Sequence, residues 1–224
     1  MNSKIKAVIF DFDGLLVNTE ELRLISFQEL LKRWGKKFNI RDYPPTMLTG
    51  AAMSTTVFLK EKYNLDGDVE KIHGERREIF QRLFETRLVF LDGVYELLQR
   101  IKNWTIKCAI ASTRNREQIE DGLTRLGVLE MFSVIVTNQD LKSGMGKPDP
   151  EIYLITAKKL KVGSKNCLVL EDAPHGIEAA KAAGMKAIYV PDSKFVDSYH
   201  EKADLILKNM HELTDEVLGR LIHG

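Results

Sequence analysis

Between long stretches with helical spacing, the chain carries five short runs rich in β-branched residues: KAVIF (6–10), TIKCAIAS (105–112), SVIVTN (133–138), NCLVLE (166–171) and KAIYVP (186–191). They are apolar along their length rather than alternating, which is how strands read when both faces of a sheet are covered. Helical patterns lie between the later runs, for instance Ile119, Leu123 and Leu126 at i, i+4 and i+7 spacing. Strands alternating with helices predict an α/β fold built on a parallel sheet. In such sheets ligands bind beyond the carboxyl ends of the strands, so the residues that follow each run are where chemistry is to be sought.

The interval between the first and second runs breaks this rhythm. From about residue 18 to 88 the chain reads as helical, with one stripe at Leu24, Phe27, Leu31 and Trp34 and another at Phe80, Leu83, Phe84 and Leu88. The segment leaves just after the first strand and returns near Leu91-Asp92-Gly93. It predicts a helical insertion over the edge of the sheet, either a mobile lid or a rigidly packed subdomain. The expected division is 1–17 with 89–224 as the core and 18–88 as a helical cap, and 224 residues suffice to bury both.

Charge and composition remove several classes of function. Lys and Arg number 33 against 32 Asp and Glu, a net charge of +1, and no basic block offers a grip on a phosphate backbone, so nucleic acid is not an expected partner. The amino-terminal apolar run is cut by Asp11 after four residues, too short for a signal-peptide core or a membrane span. Cys108 and Cys167 sit inside strand-like runs as small hydrophobes, with no disulfide framework. A monomeric cytoplasmic protein acting on a small molecule, with no membrane partner, is the expectation.

The first run ends in AVIFDFDGLL. Asp11 and Asp13 are two apart in an extended chain and point the same way, and Gly14 then permits a sharp turn. A calcium loop is excluded, because the fifth and twelfth positions are Leu15 and Leu22; an Asx-type turn stays open beside a catalytic acid pair. The fourth run ends in Glu171-Asp172. Four acids at neighbouring strand ends repel one another unless they share a cation, and oxygen-only ligands suit magnesium. Alternatively Asp172 caps the helix that begins near Pro174.

Two other strand ends supply donors. Ser112 and Thr113 close CAIAST ahead of a helix that Asn115 and Gln118 can start as a capping-box variant. Lys147 precedes Pro148-Asp149-Pro150, where Asp149 fits an N-cap, Pro150 the first helical position, and Pro148 restricts the backbone that aims the lysine. No nucleotide-binding P-loop is present, since Gly146-Lys147 is followed by proline, and the five histidines lack metal-ligand spacing. Only His175 lies close to a proposed site, as a candidate substrate contact.

Taken together, DFDGLL, Ser112, Lys147 within GKPDPEIY, and Glu171-Asp172 within LVLEDAPHGIEAAKAAG resemble the four motifs of the haloacid dehalogenase-like hydrolase superfamily over nearly the whole chain. The resemblance implies a Rossmann-like core with an inserted helical cap of that superfamily's first type. It also implies a sheet with the fifth and fourth strands beside the first, followed by the second and third. By the same resemblance Asp11 attacks phosphorus to form an aspartyl-phosphate, and Asp13 protonates the leaving oxygen and then takes a proton from water, which calls for a raised Asp13 pKa. Asp11, Ser112, Thr113 and Lys147 bind the phosphoryl oxygens. Mg²⁺ is held by the Asp11 side chain, the Asp13 carbonyl and Asp172, with Glu171 orienting Lys147 or a metal-bound water from just outside.

Longer phrases, FDFDGLLVNTE, FQELLKRWGKKF and CLVLEDAPHGIEAAKAAGMKAIYVPD, look like the branch with pseudouridine 5′-phosphatase, sugar-phosphate phosphatases and β-phosphoglucomutase. Asn18 stands where many of that branch have aspartate. The mutase holds its second phosphate with an arginine near Gly50, where this chain reads Gly50-Ala51-Ala52-Met53, and Arg23 replaces the mutase's histidine after the first motif. The implied function is a magnesium-dependent phosphatase of a small phosphate ester, a sugar phosphate or nucleoside monophosphate, with Thr19, Glu20 and Arg23 as contacts at the cap boundary. A phosphomutase and a non-catalytic phosphate sensor are the alternatives.

Overall fold

The computed structural model describes residues 4–42, 52–191 and 202–223. Six strands among them form one sheet: β1 (Ala7–Phe10), β2 (Lys107–Ser112), β3 (Phe132–Thr137), β4 (Cys167–Glu171), β5 (Lys186–Tyr189) and β6 (Leu205–Ile206). Their order is β3-β2-β1-β4-β5-β6, and every pairing is parallel. The order implied for the first five strands is therefore the one found, with β6 added outside β5. Two residues carry too little apolar pattern to announce a strand. What fixes β6 is Asp204, whose backbone N–H donates to the Ala187 carbonyl (2.9 Å) and whose carboxylate accepts from the Ala187 N–H (2.8 Å).

Because successive strand residues point to opposite faces, one set of alternating small side chains covers one face of the sheet. Ala7 and Ile9, Ala109 and Ala111, Cys167 and Val169, and Ala187 and Tyr189 form a single cluster with Ile152, Tyr153, Ala157 and Leu160 of α6 (Glu151–Leu160) and Ile177, Ala179 and Ala180 of α7 (Pro174–Ala182). Alanine on both sides lets these helices lie close to the strands. Each buried leucine, isoleucine or phenylalanine contributes roughly 1.5–3 kcal/mol through its removal from water. On α4 (Val94–Asn103), Val94, Leu97, Leu98 and Ile101 are buried at helical spacing; α5 (Arg116–Arg125) buries Ile119 and Leu123, and α8 (Asp215–His223) follows β6.

The chain separates into two compact units, Met1–Asn18 with Val89–Gly224, and Thr19–Leu88. The second holds α1 (Thr19–Arg33), α2 (Ala52–Tyr63) and α3 (Val69–Arg87). Its interior is built from Phe27, Leu30 and Leu31 on α1, Leu59 on α2, and Ile72, Ile79, Leu83 and Phe84 on α3. Leu24 and Trp34, expected in the buried stripe, are half-buried; the Trp34 indole instead donates to Glu75 (3.2 Å). The Arg76 guanidinium lies 5.4 Å from the centre of the Phe27 ring, and Thr56 Oγ1 is 3.0 Å from His73 Nδ1.

In the first unit, the chain leaving β1 and the chain returning to α4 are laced together. Asn18 donates its N–H to the Val89 carbonyl (3.2 Å) and accepts from the Val89 N–H on its Oδ1 (3.0 Å), while the Leu91 N–H donates to the Leu16 carbonyl (3.0 Å). Among the described residues no helix is long and apolar enough to cross a membrane.

Candidate active site

The register of the sheet brings the polar strand ends to one level. Phe10 pairs with Ile110 on one side and Leu170 on the other, so Asp11 lies level with Ala111 and Glu171, and Ser112 one residue beyond. Asp11 stays in the ladder, its N–H donating to the Leu170 carbonyl (3.1 Å). The turn that follows closes on itself through the Leu16 and Val17 N–H groups, both donating to the Phe12 carbonyl, and Gly14 adopts φ +74°, a left-handed conformation that suits glycine. Phe12 is wholly buried. It anchors the link between the two aspartates.

Lys147 is the hub of the site. Its side chain is 1% exposed, and its ammonium group donates to Asp11 Oδ1, to Glu171 Oε1 (2.5 Å) and to the Ala111 carbonyl (3.0 Å). Those three partners match its three N–H donors. The lysine reaches them from the loop after β3, through a cis peptide bond to Pro148. Asp149 does act as a cap, accepting from the Glu151 N–H (2.9 Å), although α6 begins one residue later than expected, with Pro150 in the cap position.

Glu171 is held from three sides. Its Oε1 also accepts from the Tyr153 hydroxyl (2.6 Å), and its Oε2 accepts from the Ala173 N–H (3.3 Å). Gly176 completes the enclosure: a Cβ there would lie 1.9 Å from Glu171 Oε1, so any side chain at 176 displaces the carboxylate. Tyr153 and Gly176 are residues of this site that the sequence reading did not single out, although both lie inside the quoted motifs. The lysine ammonium also sits 5.2 Å from the centre of the Tyr153 ring.

Burial pushes Asp11 up to about 7; Lys147 pulls in the other direction, and Glu171 and Asp13 add to the rise. Burial alone would lower Lys147, but the charges of Asp11 and Glu171 outweigh it and hold the lysine well above its ordinary value. Tyr153 is raised by burial and then by Glu171, which keeps it a hydrogen-bond donor. His175, half-buried at the start of α7, is lowered by burial.

Asp13 has a partner that the sequence reading did not place. Arg114 Nε donates to Oδ1 (2.9 Å) and Oδ2 (3.1 Å), and Nη2 to Oδ1 (2.6 Å). The carboxylate that the family chemistry uses as an acid is thus gripped by a guanidinium on both oxygens. Arg114 Nη1 donates to Gln118 Oε1 (3.2 Å), and the Arg114 N–H donates to Ser112 Oγ (3.2 Å). The capping box expected of Asn115 and Gln118 is not formed, because Asn115 makes no side-chain cap and Gln118 turns to the arginine.

Of the remaining candidates, Ser112 is buried at the end of β2 and Thr113 beside it is exposed. Asp172 is half-buried directly after β4; helix α7 has Ala173 in its cap position, so Asp172 is not the cap residue. Thr19, Glu20 and Arg23 belong to the other unit, where Arg23 pairs with Glu20 (2.9 Å). Gly50 and Ala51 lie outside the described residues.

Comparison with known proteins shows the family. The family profile "Haloacid dehalogenase-like hydrolase" matches residues 8–190. The phosphorylated carbohydrates phosphatase of Thermotoga maritima is 32% identical over 82% of this chain and 84% of its own length. The β-phosphoglucomutase of Bacillus subtilis is 34% identical over 95% and 93%. Among solved structures, CbbY of Rhodobacter sphaeroides in complex with xylulose 1,5-bisphosphate superposes with a TM-score of 0.74 at 28% identity, covering 93% of this chain and 96% of that one. The chain therefore belongs to the haloacid dehalogenase-like hydrolases. Within them it is a phosphoric monoester hydrolase, a phosphatase of small phosphorylated substrates.

Proposed function

We propose that the protein is a magnesium-dependent phosphatase that hydrolyses a sugar phosphate or a nucleoside monophosphate, such as pseudouridine 5′-phosphate, through an aspartyl-phosphate on Asp11. The observation that carries this reading is the junction of Asp11, Lys147 and Glu171 at the ends of parallel strands, with Ser112 one residue on.

In the first half-reaction an Asp11 oxygen forms a bond to phosphorus as the ester P–O bond breaks, and Asp13 gives its proton to the departing alcohol. In the second, Asp13 takes a proton from water as that water attacks the same phosphorus, releasing orthophosphate and restoring the Asp11 carboxylate. Lys147, Ser112 and Thr113 bind the phosphoryl oxygens; for Lys147 this means turning one of its three donors from a protein oxygen to the phosphate. Glu171 and Tyr153 keep the ammonium in place meanwhile.

The donor set suits a hard cation. Among the described residues no group of three or more His, Cys, Asp or Glu side chains forms a metal cage by itself. Magnesium asks for less, since it takes one or two carboxylates and fills its shell with waters and substrate phosphate. Asp11, Asp172 and the Asp13 carbonyl would hold it, with Glu171 committed to Lys147. When bound, the ion supplies positive charge that offsets the repulsion between an anionic nucleophile and an anionic phosphate.

One observation favours a second reading, a phosphomutase: the 34% identity over 95% of the chain to a β-phosphoglucomutase. A panel of phosphate esters, assayed with Mg²⁺ and with excess chelator, separates the two. The phosphatase releases orthophosphate from several esters in Mg²⁺ and none in chelator. Glucose 6-phosphate formed from β-glucose 1-phosphate without orthophosphate establishes the mutase, and full turnover in chelator removes the metal from the account.

A further inference from the structure

We propose that a cavity at the amino ends of β1 and β2 binds a nucleotide, with its phosphates on Lys4 and Lys6 and its ring against Trp104. The cavity lies at the opposite end of the strands from Asp11 and Glu171, so this site is independent of the phosphatase reading.

The cavity measures about 640 Å³, inside the range of roughly 300–1,000 Å³ that small-molecule sites occupy. Its apolar lining is Trp104 and Ile106, both half-buried, together with the buried Ile5 and Ile222. Backbone hydrogen bonds hold this lining in place. The Ile5 N–H donates to the Ile222 carbonyl in the last turn of α8 (3.1 Å), the Lys6 N–H donates to the Asn166 carbonyl (2.8 Å), and the Lys6 carbonyl accepts from the Lys107 N–H (3.2 Å). Lys4 and Lys6, both exposed, add a cationic side.

Lysines at this edge of a parallel sheet ordinarily serve the carboxyl ends of helices. Lys107 does so, its ammonium donating to the Leu160 carbonyl at the end of α6 (2.8 Å). Lys4 and Lys6 do not: among the described residues neither side chain has an ion pair or a hydrogen bond. Nor does α4 call on them, because the backbone closes that helix itself. The Trp104 N–H donates to the Arg100 carbonyl (3.2 Å), the Thr105 N–H to that of Lys102 (3.1 Å) and the Ile106 N–H to that of Ile101 (3.4 Å). This closing turn needs one left-handed residue, usually glycine, yet Thr105 takes it at φ +56°. A β-branched residue there costs about 1–2 kcal/mol, and such strain gathers at ligand sites. Thr105 stands in the cavity lining beside Trp104.

Two lysines without carboxylate partners ask for an anion, and a half-buried indole with isoleucines beside it asks for a flat apolar ring. A phosphate alone leaves the apolar lining wet, and a neutral ring alone leaves the lysines unused. A nucleotide satisfies both. The neighbouring cavity, about 290 Å³ at the starts of β4 and β5, has Lys165, Lys181 and Lys186 but no aromatic side chain. It shares the positive charge without the ring wall and provides the control.

The test is a fluorescence titration of the full chain carrying Trp34→Phe, which leaves Trp104 as its only tryptophan, in excess chelator. The probes are ATP, adenosine as the ring without phosphate, and inorganic pyrophosphate as phosphate without a ring. ATP is expected to change the Trp104 emission saturably, and adenosine and pyrophosphate to bind about tenfold more weakly or worse. Lys4→Glu combined with Lys6→Glu is expected to weaken ATP by about tenfold, the scale of two exposed ion pairs. Lys165→Glu with Lys186→Glu makes the same change of net charge at the same edge of the sheet and is expected to weaken it much less. Should Trp34→Phe not fold, the emission of the parent less that of Trp104→Phe gives the same signal. The absence of a saturable change with ATP up to about 5 mM overturns the proposal. So does an equal loss in the two double variants, the mark of unspecific attraction, and so does adenosine or pyrophosphate binding as tightly as ATP, which removes one half of the site.

Discussion

At the scale of single residues, the site is a contest between burial and pairing. Lys147 neutralises part of the acid cluster and has its three donors on Asp11, Glu171 and the Ala111 carbonyl, while Tyr153 and the Ala173 N–H fix Glu171 in turn. Tyr153→Phe removes one hydroxyl from a buried charged acceptor and almost no volume. It is expected to cost about 1.5–3 kcal/mol of stability and to lower kcat more than it raises KM, since Glu171 then holds the lysine less firmly. Thermal unfolding and steady-state rates check both, and a variant matching its parent in each refutes the positioning role. Asp11, Asp13, Ser112 and Asp172 were legible in sequence because each follows an apolar run where a core gains nothing from polarity, and Lys147 because it stands before the Pro148-Asp149-Pro150 run that opens a helix. Tyr153 and Arg114 were not, because their roles exist only through partners 18 and 101 positions away. Gly176 was unreadable for a related reason: the space it leaves is occupied by a side chain from another element.

At the scale of elements, strands were easier to read than helix ends. Apolar runs of five to eight residues located β1 to β5 to within a residue or two, since burial on both faces leaves little choice of residue. β2 starts at Lys107 rather than at residue 105, because Thr105 takes φ +56° and turns the chain just before it. Caps were displaced by one residue or absent, as at Asn115 and Asp149, because a short polar side chain is satisfied by whichever donor tertiary packing brings nearest. The contact between α2 and α3 gives a pH prediction. Burial first, then Arg76 and Arg77, lowers the His73 pKa below its ordinary 6.5. Between the folded value and about 6.5 the unfolded chain binds more protons, so the His73 contribution to stability is complete above that window and lost as the pH falls through it. His73→Asn keeps a polar atom toward Thr56 but does not titrate there. The gap in Tm between parent and variant should narrow, or turn in favour of the variant, from pH 7.5 to pH 5; a gap that widens in favour of His73 contradicts the assignment.

At the scale of the whole molecule, a sheet buried on both faces places its polar strand ends at one edge, where residues from distant parts of the sequence meet. Residues 11, 112, 147 and 171 are spread over most of the chain, yet the register of β1 with β2 and β4 brings the first, second and fourth to one edge of the sheet, and the Lys147 side chain reaches them from its loop. The division into two units was legible as a break in the strand-helix rhythm after residue 17, and the ties of Asn18 to Val89 and Leu16 to Leu91 give that break its physical form. The order of the strands was not legible in periodicity, which records that a strand is covered but not which strand lies beside it. The central claim is that Asp11 takes phosphate covalently while Lys147 and its carboxylate partners hold the site together. Its most direct test is an acid-quenched single turnover followed by peptide mass analysis. A phosphoryl group on Asp11 in the parent, absent from Asp11→Asn along with turnover, is the predicted result; phosphate on another residue, or Asp11→Asn hydrolysing esters at the parent rate, contradicts the account.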